Sequence, residues 1–137
     1  MDQPLKCVVV GRNAVLRMAE PEPEAARAQL TALLAVWAEG MRWPLPLPPG
    51  VALQWLKDPD NLNALADAYE GSDFKRAEKD KDPALARTYL TMEDLLATGQ
   101  FERLAQTVYA PLKAWAEQAE IEALPDAPYD SEEGELA

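Results

Sequence analysis

Chemistry at neutral pH needs side chains that exchange protons, attack as nucleophiles or hold a metal, and this chain is poor in all three. It contains no histidine, which removes imidazole acid–base catalysis and imidazole metal ligands. Its one cysteine, Cys7, cannot close an internal disulfide or build a cysteine-rich zinc site. Within Cys7-Val8-Val9-Val10 it reads as a small buried hydrophobe rather than a reactive thiol. No GxxxxGK[ST], GxGxxG or GxSxG sequence occurs. One formal match remains. Pro59-Asp60, followed by Asp73-Phe74-Lys75, has the letters of the PD-(D/E)xK signature of metal-dependent nucleases. That chemistry needs two carboxylates on one divalent ion and a lysine near the attacking water, all carried on a strand pair. Asn61 to Gly71, between the two halves, are patterned as a helix instead. Asp58 and Asp60 are therefore expected to cap helix starts and Asp73 to lie in a solvated loop. A nuclease built on Asp60, Asp73 and Lys75 stands as the enzymatic alternative to a chain with no catalytic residue, cofactor or metal site of its own.

The one basic cluster is Lys75, Arg76, Lys79 and Lys81, a candidate contact for DNA or for a partner protein. Glu78, Asp80 and Asp82 interrupt it and weaken its local field. No single-strand stacking platform is expected, because most aromatics fall on apolar helix faces. The chain as a whole is acidic, with 24 acids, 13 bases and a net charge of −11. From Glu117 onward there are eight acids and no base, so the first 116 residues carry only −3. From Pro125 the chain has few apolar side chains to offset its ordering entropy, and residues 125–137 read as a solvated acidic tail.

The elements that must position these residues follow from pattern. Lys6 to Val10 and Ala14 to Met18 flank Gly11-Arg12-Asn13 and read as a β-hairpin, which by itself is only marginally stable. Pro21-Glu22-Pro23-Glu24 opens a long helix, with proline tolerated in the first turn and acids complementing the dipole. Ala26, Leu30, Leu33, Leu34, Trp37 and Met41 recur at helical spacing and read as its core face, with Gly40 as the stop. Arg42 to Gly50 alternates prolines and reads as an extended connector. Two short helices follow, Val51 to Lys57 with Leu53 and Leu56 inward, and Asp60 to Glu70 with Leu62, Leu65, Ala66 and Tyr69 inward. Ser72 to Asp82 reads as a charged surface loop. Pro83 begins a helix, Thr91 caps another that Gly99 ends, and Phe101 to about Ala123 forms the last. Its inner face is Leu104, Val108, Leu112 and Trp115, and Pro111 should kink it.

The sum is an α+β, mostly helical domain with an N-terminal β-hairpin, spanning residues 1–124 and followed by the tail. The length of 137 residues suits one domain with a real core, and 48% apolar residues is ordinary for a soluble globule. No apolar stretch approaches the ~20 residues that cross a bilayer, and the opening MDQPLKCVVVG lacks a signal-peptide core. A cytoplasmic protein with no membrane or small-molecule partner is expected.

Several segments occur in a familiar order. Pro23-Glu24-Ala25-Ala26-Arg27-Ala28-Gln29-Leu30 is followed by Gly40-Met41-Arg42-Trp43-Pro44-Leu45-Pro46-Leu47 and Ala52-Leu53-Gln54-Trp55-Leu56. Ala68-Tyr69-Glu70-Gly71, Asp82-Pro83-Ala84-Leu85-Ala86-Arg87 and Tyr109-Ala110-Pro111-Leu112 come after them. From Lys6 to Trp115 this order resembles the C-terminal domain of RecC, the gamma subunit of exodeoxyribonuclease V (RecBCD). The resemblance implies part of an inactive nuclease-like, PD-(D/E)xK-type domain. It implies a scaffold role in DNA double-strand break repair, with RecB- and RecD-like subunits and the remainder of RecC as partners and DNA met through the complex. Helicase, ATPase and Chi-recognition roles do not transfer to so short a chain. The alternative is a stand-alone acidic regulator, or a phage-type inhibitor mimicking RecC or nucleic acid.

Overall fold

The computed structural model describes residues 7–124, so the acidic segment 125–137 lies outside the described residues. The chain forms two compact units. One is a sheet unit, residues 7–20 with 116–124, and the other a helical unit, Pro21–Trp115. The fold is α+β and mostly helical.

The sheet has three antiparallel strands in the order β1 (Cys7–Val10), β2 (Ala14–Met18), β3 (Glu120–Ala123). β1 and β2 form the expected hairpin, with Val10 opposite Val15 and Cys7 opposite Met18. The Gly11 amide donates to the Ala14 carbonyl at 2.8 Å across the turn. β3 completes the sheet by pairing Ala14 with Ala123 and Arg17 with Glu120. The final helix therefore ends at Glu117, not near Ala123. Glu120-Ile121-Glu122-Ala123 alternates with a period of two, and the lone hairpin gains the third strand that makes such a sheet stable. Cys7 is exposed, contrary to expectation. A β-branched run is buried only where both sheet faces are covered, whereas β1 is an edge strand with every residue accessible.

The helical unit contains α1 (Pro23–Gly40), α2 (Pro49–Lys57), α3 (Leu62–Glu70), α4 (Pro83–Thr88), α5 (Met92–Ala97) and α6, which runs on to Glu117 from Phe101. Its core is Val51 and Ala52 of α2, Leu65, Ala68 and Tyr69 of α3, Met92 and Leu95 of α5, and Phe101 and Ala105 of α6. α2 buries a different face from the one its leucines suggest. Val51, Ala52 and Trp55 turn inward, and Leu53 is exposed. Trp55 meets Phe101 edge-on, with ring centroids 6.1 Å apart and planes at 75°, a favoured aromatic geometry. A bulky aromatic at the i+4 position outcompetes leucine for the space beside Phe101. Leu62 at the start of α3 and Leu112 in α6 are likewise exposed rather than inward.

Short-range signals explain the helix ends. Asn61, not Asp60, caps α3, its Oδ1 accepting from the Ala64 amide at 3.1 Å, while Asp58 accepts from the Asn61 side-chain amide at 3.2 Å. Thr91 forms a full capping box with Asp94 at the start of α5. Asp82 accepts from the Ala84 and Leu85 amides before Pro83-led α4. α6 continues as helix through Pro111, which removes the amide that would have met the Thr107 carbonyl.

Tyr69 ties the unit together. Its ring is 0% exposed and its hydroxyl donates to the Tyr89 carbonyl at 2.5 Å. The Tyr89 hydroxyl donates in turn to the Pro44 carbonyl of the connector at 2.9 Å. Burial, reinforced by the negative charges of Glu70 and Asp94, pushes the Tyr69 phenol up to about 12. The unfolded chain therefore releases this proton near pH 10 while the folded chain holds it, so stability present below pH 10 is lost as pH rises toward 12. Tyr69→Phe should flatten that alkaline limb in thermal melts from pH 9 to 12, and at neutral pH should cost about 1 kcal/mol for the lost hydrogen bond. An unchanged limb would place the titrating group elsewhere.

Candidate functional site

Asp60, Asp73 and Lys75, the residues of the nuclease signature, sit in exposed turns with the whole of α3 between them. Asp60 lies between α2 and α3, and Asp73 and Lys75 belong to a tight turn closed by Ser72 and Lys75. A helix in place of the strand pair leaves the signature without the frame that would aim its carboxylates together. Among the described residues no group of three or more Cys, Asp or Glu side chains could hold a metal ion.

The segment from Ser72 to Asp82 is more ordered than a charged surface loop. Gly71 adopts φ +85°, a conformation only glycine takes without strain, and its missing side chain leaves room for the Ala77 amide. Ala77 is buried, and the Glu78 amide donates to the Ala68 carbonyl at 3.1 Å. The Glu78 carboxylate then caps α2, accepting from the Gly50 amide at 2.7 Å and the Val51 amide at 2.8 Å. Both bonds satisfy donors that a helix start leaves unpaired, and the negative charge suits the positive end of the dipole. In the linear sequence Glu78 only interrupts the basic cluster. A cap supplied from 27 residues away carries no local signature.

Those constraints sort the four basic residues. Lys79 is engaged in structure, its Nζ donating to the Leu90 carbonyl at 2.9 Å. Lys81 lines a cavity of about 290 Å³ alongside Glu78 and Asp82, where the acids offset its charge. Lys75 and Arg76 are exposed, and neither appears in an ion pair among the described residues. Between Asp73 and Lys75, at the tip of the turn, Phe74 is 100% exposed. The available sequence signal was an aromatic inside a charged stretch that belongs to no helix.

The largest departure lies on α1. Its expected core stripe is a surface: Leu30, Leu33, Leu34, Trp37 and Met41 are all exposed, Trp37 by 63%. Only Val36 is buried, on the opposite side, and Glu39 holds that side to α6 through Arg103 at 2.7 Å. The stripe is continuous at i, i+3, i+4, i+7 and i+11. These side chains form an exposed apolar stripe along one face of the helix.

Residues 5–59 match the family model of the RecC C-terminal domain. The matched stretch holds the β1–β2 hairpin, all of α1, the proline-rich connector and α2. The resemblance read from Pro23 to Leu56 is borne out there, and the segments from Ala68 onward lie beyond the matched residues. No curated protein and no solved structure matches the chain. No helix among the described residues is long and apolar enough to cross a membrane.

Proposed function

We propose that this chain is a non-catalytic interaction module of a RecBCD-type helicase–nuclease, working in DNA double-strand break repair in the cytoplasm. Its RecC-like domain spans residues 1–124, with 125–137 as an acidic tail. The observation that carries this reading is the exposed apolar stripe on α1, which lies wholly inside the stretch similar to the RecC C-terminal domain. An 18-residue helix with one buried side chain cannot be explained by the stability of the chain alone. It fits a helix whose apolar face is covered in an assembly, with RecB- and RecD-like subunits or the remainder of a RecC chain as partners. The mixed strand and helix content is compatible with an inactive nuclease-like domain, and that finer fold is part of the proposal.

The test is co-purification with the cognate RecB and RecD chains. The unaltered chain is expected to recover at least one of them. Leu34→Asp with Trp37→Ala should reduce recovery by about 30-fold or more, the effect of removing an aromatic anchor from the centre of an interface. The same pair of changes should leave the melting temperature within about 2 °C, because exposed positions contribute little to folding. Recovery of neither chain by the unaltered protein would overturn the assignment.

A further inference from the structure

We propose that the turn from Ser72 to Arg76 is a contact for single-stranded nucleic acid, with Phe74 stacking on a base and Lys75 and Arg76 meeting the flanking phosphates. The turn is built to hold its tip in place. Ser72 and Lys75 exchange backbone hydrogen bonds in both directions, at 2.8 and 3.2 Å. Gly71 fixes the chain direction on one side, and buried Ala77 and the Glu78 cap on α2 fix it on the other. A hydrogen-bonded turn beneath a 100% exposed phenyl ring means that binding has the side chain to order but not the backbone, and nothing within the described protein uses the ring.

The neighbours of Phe74 decide the ligand class. A ring that plugs a protein pocket is normally surrounded by further apolar contacts that exclude water. Here the exposed neighbours are Ser72, Asp73, Lys75 and Arg76, a polar rim with two cations. One aromatic face beside two cations matches the repeating unit of a single strand, a base with a phosphate on either side. Of the acids that interrupt the cluster in sequence, Glu78 and Asp82 hold helix starts and Asp80 is exposed beyond the turn, leaving Asp73 as the acid within it. The net charge of −11 opposes any polyanion, but charges beyond about 10 Å are screened at 0.1 M salt. Stacking should therefore supply a larger share of affinity than phosphate pairing. This site shares no residue with the exposed α1 face and stands or falls independently of the docking role.

The experiment is fluorescence anisotropy of a short fluorescein-labelled oligothymidylate titrated with the full chain at about 50 mM salt. Saturable binding is expected, and Phe74→Ala should weaken it about ten-fold while Phe74→Trp preserves it. Raising salt from about 50 to 200 mM should weaken binding about seven-fold, as two neutralised phosphates on a single strand require. Lys75→Ala with Arg76→Ala should remove most of that salt dependence. A Phe74→Ala melting temperature equal to that of the unaltered chain would show that the loss is not one of folding. Absent binding at 50 mM salt, or equal affinity for Phe74→Ala, would overturn the proposal. So would a result in which RecB or RecD capture depends on Phe74 while the oligonucleotide does not bind, because the ring would then belong to a protein interface.

Discussion

Phe101→Ala is expected to destabilise the helical unit by about 4 kcal/mol, the middle of the range for emptying a buried aromatic site. Phe101 is 1% exposed and opens α6 at the point where α2, α3 and α5 converge. Its removal deletes the edge contact with Trp55 and leaves a void lined by side chains already fixed in a close-packed cluster. Because domains of this size are stable by only about 5–15 kcal/mol, such a loss should leave the variant partly unfolded at physiological temperature. Urea titration followed by far-ultraviolet circular dichroism measures it directly. The informative comparison is Trp37→Ala, an aromatic of larger area, which should change stability by less than about 0.5 kcal/mol because its ring already faces water. A Phe101→Ala cost below about 1 kcal/mol would mean that the core is centred elsewhere.

Glu78→Ala should cost about 2 kcal/mol, and its interaction with position 50 should reverse the sign of a second substitution. Two backbone amides of α2 lose a charged acceptor at once, and each such bond contributes more than a neutral one. A Cβ placed on Gly50 would sit 2.8 Å from Glu78 Oε2, so Gly50→Ala alone must push the carboxylate away from the helix it caps. Gly50→Ala is therefore destabilising in the unaltered chain. In the Glu78→Ala background nothing remains to clash, and alanine should stabilise α2 relative to glycine by roughly 0.5–1 kcal/mol. A double-mutant cycle in guanidinium chloride reads this coupling, and additive effects would show that the carboxylate does not bridge the two amides.

The two variants probe layers that differ in how far they could be read in advance. Helix starts at Pro23, Pro83 and Thr91, the ends at Gly71 and Gly99, and the turn at Gly11-Arg12-Asn13 follow from residues within a few positions of one another. Their causes are local: a fixed proline φ, a side-chain oxygen within reach of a nearby amide, a positive φ that glycine tolerates. The poverty of catalytic side chains was equally plain, because composition alone records that histidine is missing and cysteine single. Similarity to the RecC C-terminal domain was legible between Pro23 and Leu56, where several motifs keep one order.

Which apolar face is buried in the core and which stays exposed was not decided at that level. The stripe from Leu30 to Met41 has the periodicity of a core helix, and periodicity states only that one face is apolar, not whether anything covers it. The same ambiguity hid β3, whose four residues become a strand only because β2 offers an unpaired edge. It hid Glu78 as well, whose carboxylate reaches α2 from a distant turn. Sequence set the local conformations and the chemical inventory of this protein. The tertiary structure chose among the faces and partners those conformations permit, because burial and long-range hydrogen bonding depend on which segments arrive together, a property no short window of residues contains.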